Sequence, residues 1–434
     1  MIALLDCDAF YANCERCFIP ALNGKPLVVL SNNSGCAIAR TEEAKALGIK
    51  MGQPYHEFRY MEEVHGLVTL APNFALYGDM SERVFSVAAG LGHPLSIYSI
   101  DECFIGLDGI KGDLRSRALA VRERILKWVG IPCGVGIGKT HTLAKFSNRV
   151  AKQAQRNPGS YPSKHAQVCD LSTCSTAEID DLLEATPVAD IWGVGRKLGE
   201  QLADAGVVNA LSLARMDPGL VRRRWSVVLE RTVLELRGIS CIDLDNAPAA
   251  RQQIAHTRSF GSVVCDLPPL IEAVTEFATK AAVKLRRQGS LAGHVHVFVA
   301  TSPFRKSPQY SRSITVQIPQ PTCDTLAIAQ AAIAGMRAIY APGYEFARAG
   351  VILQDLSDGG HAQLHLDLSH AEPERRDRSR LMLAVDSINQ RFGTNAVTVA
   401  SSGVGQAQRT WVSKQKGRTP EYTTKWCDLP IVKA

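Results

Sequence analysis

Between Tyr98 and Phe104 the sequence YSIDECF sets two adjacent carboxylates, Asp101 and Glu102, inside an apolar, strand-like run. Burying an unpaired carboxylate costs several kcal/mol in practice, so a fold that accepts this pair must bring it a basic partner, a proton or a metal. A third acid, Asp6, ends the apolar strand that opens the chain, MIALLDCDAFYA. If the two strands are neighbours, three acids converge at one sheet edge and repel one another unless cations sit among them. Hard oxygen ligands of this kind suit Mg²⁺, and two such ions with a substrate phosphate make a phosphoryl-transfer site. The same residues also admit a plainer assignment, with Asp8 and Glu102 as helix or turn caps and Asp101 as a surface acid.

The rest of the chain says which kind of protein surrounds these acids. At 434 residues it is too long for one ordinary core and predicts three or four domains. With 46% hydrophobic and 21% charged residues it is globular, and its apolar runs break well before the ~18 residues of a membrane span. The N-terminus lacks a basic leader region, which predicts a cytoplasmic location and no membrane partner. Twelve cysteines include one C-x2-C, Cys14 and Cys17, without a second pair for zinc, so reduced structural thiols are expected. The formal charge of +7 favours an anionic partner.

Strands and helices alternate up to about residue 168, predicting an α/β unit with a small lobe inserted at about 22–70. Short helices follow over 169–242. Within them IWGVGRKLGEQLADAGV reads as a helix, a Gly-Val-Gly turn and a second helix, a helix-hairpin-helix whose turn at Trp192, Gly193, Val194, Gly195, Arg196 and Lys197 would hold a DNA phosphate through backbone N–H groups. An ordinary αα-corner gives the same pattern; RRRW at 222–225, close behind, favours nucleic acid. A proline-bearing linker occupies 243–250. Then 251–355 reads β-α-β-β-α-β, with both helices on one sheet face and the other face free for a nucleic-acid backbone. Arg258, Lys280, Lys284, Arg286, Arg287, Arg305, Lys306 and Arg312 lie near that expected surface. A tail over 356–434 has a charged connector, a short helix near 380–391 and a basic, turn-rich end. GVGIGKT, residues 134–140, is not a phosphate-binding P-loop, because the spacing would put the first glycine at Cys133.

Taken together, LLDCDAFYANCE, PLVVLSNNSGCAIARTEEAKALGIKMG, SIYSIDECF, GVGIGKTHTLAKFSN and VADIWGVGRKLGEQL resemble a Y-family translesion DNA polymerase of the UmuC type, the catalytic subunit of bacterial DNA polymerase V. The resemblance runs across essentially the whole chain with the motifs in the family's order. It implies a right-hand α/β multidomain polymerase with palm, small fingers, helix-hairpin-helix thumb and little finger. Asp6, Asp101 and Glu102 match the family's metal-binding triad, with the Cys7 carbonyl as an additional ligand of two Mg²⁺ ions; Asp8 matches an acid outside that set. Tyr11 falls at the steric gate that excludes a 2′-hydroxyl, with Phe10 beside it. Lys45 and Lys152 fall where the triphosphate is held, although Glu42 and Lys45 stand where a Tyr and an Arg are common. Arg40 falls near the nascent base pair.

The family also implies primer-template DNA and dNTP as substrates, and a processed UmuD-type dimer, a RecA filament and a sliding clamp as partners. QLHLDL supplies a clamp-binding peptide in Gln363, Leu364, Leu366 and Leu368. The function that follows is error-prone, template-directed DNA synthesis past damage in SOS mutagenesis. A non-catalytic, clamp-docked DNA-binding subunit is the alternative, against which the intact triad argues; a nucleotidyl cyclase would have no use for the duplex-binding surfaces.

Overall fold

The computed structural model describes residues 1–31, 35–243, 250–359, 378–393, 395–403, 411–412 and 417–431. It divides into two units, residues 1–246 with 415–434, and residues 247–414. The stretch 356–434, expected as one tail, is thereby shared between them.

The first unit is built on a five-stranded sheet in the order Leu95–Ile97, Glu102–Gly106, Ile2–Cys7, Cys133–Gly138, Val168–Asp170. Ile2–Cys7 lies antiparallel to both its neighbours, and Asp6 stands directly opposite Glu102. The two acid-bearing strands are thus adjacent, which meets the condition on which the acids converge. Side chains of Ala3, Leu5, Cys103, Ile105, Val135 and Ile137 are buried together with the helices Phe74–Ala88 and Leu114–Val129. The other face of the sheet receives the helix His141–Arg156.

That packing explains the glycines of GVGIGKT. Residues 134, 136 and 138 alternate along a fully buried strand, and a Cβ built at Gly136 would lie 2.6 Å from Asn148 Cα and closer still to backbone atoms of Asn148 and Ala144. The glycines are the absence of side chains that lets helix and strand approach.

The inserted lobe is a three-stranded sheet, Ala37–Arg40, Leu27–Leu30, Val68–Leu70, over its own small core of Val28, Leu30, Phe58 and Leu67. Thr41 caps the helix Glu42–Ala46, and Gly48 leaves it at φ +82°.

Short helices follow: Thr176–Glu184, Arg196–Asp204, Ala210–Arg215, Pro218–Arg224 and Val227–Leu236. The helix expected after the Gly-Val-Gly turn is Arg196–Asp204, and the element before the turn is shorter than expected. That element is a single 3-10 turn, Val188–Asp190, behind Pro187. Proline supplies no N–H and disfavours helical geometry in the residue before it, so no longer helix reaches across Thr186 and Pro187 into this turn.

The second unit has the sheet order Ser311–Thr322, Ser290–Thr301, Phe346–Asp358, Ile254–Val264, with helices Leu267–Gln288 and Thr325–Ile339. This is the β-α-β-β-α-β order read from the sequence. Val295, Val297 and Val299 alternate inward against the helices around Phe277 and Met336. Helix Ser379–Phe392 is fastened to this unit through Arg286, whose guanidinium donates to both Asp386 oxygens at 2.7 Å. No helix among the described residues is long and apolar enough to cross a membrane.

Candidate active site

The acids at the sheet edge are held by local structure. Cys7 N–H donates to the Asp101 carbonyl at 2.9 Å, and the Ser99 hydroxyl donates to the Asp101 carboxylate at 2.5 Å. After Cys7 the chain turns through Ala9 at φ 41°, a left-handed conformation costly for a residue with a Cβ, and starts the helix Phe10–Phe18. The turn brings Asp8 to the Lys152 ammonium that Asp6 also contacts, and sets Tyr11 in a cleft with Asp101.

Cations do sit among the acids, and they are side chains of one helix. Lys152 Nζ lies 2.8 Å from Asp6 and 3.1 Å from Asp8, and also reaches the Cys7 carbonyl at 3.4 Å. Arg156 contacts Asp8 at 2.6 Å and Glu42 at 3.3 Å, and Glu42 takes Lys45 at 2.7 Å. Lys145 donates to both Glu102 oxygens, at 3.0 and 3.1 Å, and its ammonium lies 4.4 Å from the Tyr98 ring centre and 5.2 Å from that of Trp192. Arg149 pairs with Asp190. Positions 145, 149, 152 and 156 follow a spacing of three and four, one face of a helix. Only Lys152 was singled out from the sequence; the spacing itself was the signal for the other three.

Burial pushes the Asp6 carboxyl up to about 6, against the pull of Lys152, and the charges of Glu102 and Asp101 add to the rise. Lys152 shows the reverse balance: burial opposes its charge, but Asp6 and Asp8 outweigh it and raise its affinity for the proton. A desolvated carboxyl facing two more acids is a cation-seeking group. Carboxylate and carbonyl oxygens from Asp6, Cys7, Asp101 and Glu102 are the donor set that Mg²⁺ prefers. With lysines standing among them, no three His, Cys, Asp or Glu side chains among the described residues are gathered closely enough to hold an ion as they stand. The residues fit the metal in kind; Lys152 pairs with Asp6 and Lys145 with Glu102.

Two clefts flank the Lys152–Arg156 pair. One, of about 350 Å³, is lined by Phe10, Tyr11, Arg40, Lys45, Asp101, Lys152 and Arg156, so five residues expected at the nucleotide share one cleft with Asp101. Tyr11 lies flat on Tyr77, ring centres 4.5 Å apart at 16°, and the Phe74 ring stands at 85° to it with its centre 5.9 Å away. Burial, then the Asp101 charge, raises its phenol. Phe10 is 3% exposed and belongs to the core, so it backs the cleft rather than reaching into it. Arg40 donates to the Ile49 carbonyl. The second cleft, of about 320 Å³, holds Asp6, Glu102, Lys145, Arg149 and Trp192.

The hairpin residues separate by burial. Gly193 takes φ +90°, Gly195 precedes the helix N-terminus, and Arg196 and Lys197 are exposed. Val194 is 7% exposed in the core of the helical segment, and Trp192 packs on Tyr98 and Phe104 of the sheet. Val194 therefore offers a surface partner its backbone and not its side chain.

In the second unit the expected basic surface needs correcting. Register places Thr257, Ser259, His294, His296, Phe298, Ser313, Thr315, Arg348 and Gln354 on the face away from the helices. Arg258 and Arg312 lie opposite Ala349 and Val299, on the helix side, and Lys284 is on the helix itself. Arg305 belongs to the connection beyond Thr301 and pairs with Glu345 at 3.4 Å. Arg348 is a cation of this open face, which also carries Phe298 and Ile352. Gln363, Leu364, Leu366 and Leu368 lie outside the described residues.

Residues 5–149 match the impB/mucB/samB family and 251–366 its C-terminal domain, while 176–207 match the helix-hairpin-helix motif of that family and 379–432 a domain of unknown function. The chain is 40% identical to Protein ImpB and 39% identical to Protein UmuC, both of Salmonella typhimurium, over the full length of each chain. It is 28% identical to DNA polymerase IV 2 of Mesorhizobium japonicum over 90% of this chain and 92% of that one. Among solved structures, a Y-family DNA polymerase chimera of Dbh and Dpo4 superposes with a TM-score of 0.63 at 18% identity, covering 82% of this chain and all of the other. The acid-bearing sheet, the hairpin segment and the β-α-β-β-α-β unit are thus those of the impB/mucB/samB family, the UmuC-type Y-family DNA polymerases, to which this chain belongs.

Proposed function

We propose that this chain extends a primer 3′-hydroxyl on a DNA template, using a dNTP held in the cleft beside Tyr11, and does so error-prone past damaged bases in SOS mutagenesis. The observation that carries this reading is Asp6 standing opposite Glu102 while Asp101 opens onto the cleft lined by Tyr11, Lys45, Lys152 and Arg156. The relatives named UmuC and DNA polymerase IV support it.

In this reading the 3′-oxygen bonds to the α-phosphorus, its proton passes to solvent water, and the bond from the α-phosphorus to the α,β-bridging oxygen breaks to release pyrophosphate. Lys152, Arg156 and Lys45 face the triphosphate and offset the charge that accumulates on the leaving group. Lys45 presents a point charge already shared with Glu42, in place of a bidentate fork. Tyr11, supported from behind by Tyr77, excludes a 2′-hydroxyl by contact. Asp6, the Cys7 carbonyl, Asp101 and Glu102 would hold two Mg²⁺ ions, whose chemistry is to acidify the attacking hydroxyl and stabilise the leaving oxygen.

The hairpin backbone at 193–197 and the open sheet face with Arg348 would follow the DNA. A clamp peptide at 363–368, a processed UmuD-type dimer and a RecA filament complete the proposed assembly. The test is primer extension on undamaged and abasic templates with Mg²⁺, comparing wild type with the Asp101→Asn, Glu102→Gln double variant, with and without clamp and UmuD-type dimer. Bypass that disappears in the double variant while DNA binding persists is expected. A DNA-bound, folded wild type that extends nothing in any combination would overturn the proposal in favour of a regulatory subunit.

A further inference from the structure

The C-terminal stretch 417–422 lies outside the nucleotide cleft, yet it is hydrogen-bonded to the support of that cleft's tyrosine. Asn73 is fully buried and caps the helix Phe74–Ala88. Its Nδ2 donates to the carbonyl oxygens of Thr419 and Pro420, at 3.1 and 3.0 Å, and to the Thr419 hydroxyl at 3.1 Å. The Thr419 hydroxyl in turn donates to Glu15 Oε1 at 3.2 Å. That same oxygen accepts from the Tyr77 hydroxyl at 2.6 Å. Tyr77 is the ring on which Tyr11 lies flat, and Phe74, the residue after Asn73, meets Tyr11 edge-on. Further along, Tyr422 stacks on Phe18 at the end of the Tyr11 helix, ring centres 4.7 Å apart at 9°.

Glu15 is the joint of this chain. It is fully buried on the helix that carries Tyr11, and its second oxygen is buried without a hydrogen-bond partner. Its bonding therefore runs through one oxygen, to Tyr77 on one side and Thr419 on the other. A buried carboxyl with only two donors depends on both, because a lost donor is not replaced by water in a closed site.

We infer that the C-terminal segment around Thr419 is a positioning element for Tyr11, setting how strictly the cleft distinguishes a deoxyribose from a ribose. The inference rests on Tyr11 being the residue that meets the sugar. Exclusion by contact is steep: a radial gap of 0.5–1 Å forfeits about a quarter to a half of a contact's energy, and repulsion relaxes faster still. A modest loosening of Tyr77 is then enough to admit a 2′-hydroxyl. A cover that only shields the core would, on loss, lower stability and slow dNTP and rNTP incorporation alike.

The measurement is the ratio of kcat/KM for dNTP over rNTP in the full chain, in whichever partner combination supports extension. Four variants are compared with wild type: Tyr11→Ala, Thr419→Ala, Thr419→Ser, and a chain ending at residue 416. Thr419→Ala is expected to lower the ratio about three- to tenfold, the size of one net hydrogen bond, with dNTP incorporation largely kept. Thr419→Ser, which keeps the hydroxyl, restores the ratio, and the shortened chain lowers it further. A ratio unchanged in Thr419→Ala and in the shortened chain, while Tyr11→Ala collapses it, overturns the positioning role and leaves the sugar assignment intact. A ratio unchanged in Tyr11→Ala overturns both. Should the shortened chain not fold, Thr419→Ala against Thr419→Ser decides alone.

Discussion

Gly136→Ala is the smallest change that should move the candidate active site as a body. The added methyl carbon would sit 2.6 Å from Asn148 Cα, where ordinary contact begins at 3.4 Å, and nearer still to backbone on the same helix turn. Backbone cannot swing away as a side chain does, so the helix His141–Arg156 must retreat by about 1 Å, an overpacking that typically costs about 1–3 kcal/mol. That helix delivers Lys145, Lys152 and Arg156 to Glu102, Asp6 and Asp8. A displacement of about 1 Å at a positioned group can cost about 10²-fold in rate.

Neighbouring glycines supply the controls. At Gly138 the nearest atoms are the Ala144 nitrogen and the Leu143 carbonyl carbon and Cβ, all at 2.8 Å, whereas at Gly134 they are Lys152 Cγ and Cε at 3.1 and 3.2 Å, which can give way. Urea unfolding followed by tryptophan emission, with single-nucleotide primer extension at a permissive temperature, should rank the losses 136 above 138 above 134 in stability. A Gly136→Ala chain within about 0.5 kcal/mol of wild type, or a Gly134→Ala chain less stable than it, would refute the packing argument.

Three further outcomes follow from single contacts. Lys145→Ala leaves Glu102 without its ammonium in a mostly buried site, and should reduce primer extension by more than about tenfold while the protein stays folded; a near-wild-type rate would remove Lys145 from the site. Burial, with Arg258, Lys280 and Lys284 nearby, holds the His256 imidazole down to about 3. The unfolded chain therefore takes up a proton that the folded one refuses as pH falls from 6.5 toward 3. Stability should drop by about 1.4 kcal/mol per pH unit in that window from this group alone, and His256→Gln should flatten the urea midpoint between pH 6.5 and 5; an equally steep variant would refute it. Arg348→Ala should lower the slope of log affinity against log salt for duplex DNA by about 1, and Lys284→Ala should not; the opposite pattern would put the DNA on the helix side.

What could be read from the sequence was whatever rests on near neighbours in the chain. Caps and spacing fix helix Leu114–Val129 locally, and the β-α-β-β-α-β order is visible because each strand and helix carries its own period. The acid triad was legible as chemistry, since DECF makes no sense as a strand without a cation. What escaped needed register or contact between distant residues. Whether Arg258 faces the helices or the open side turns on its pairing with Ala349, in a sheet whose strands carry bulges, and a shift of one residue exchanges the two faces.

The basic helix lies between these cases. Its spacing was in the sequence, but a charged stripe usually means a solvated face, and only the neighbouring strands reveal that Lys145 and Lys152 point at acids. Glu15 is the extreme example. It sits between Cys14 and Arg16 in an amphipathic helix, where an acid is ordinarily exposed, and its burial is completed by residues about four hundred positions away, including Thr419. Sequence periodicity names the face of a helix; it cannot name what covers that face. The acids of this site were legible because they break a local rule, and their supports were not because they obey one.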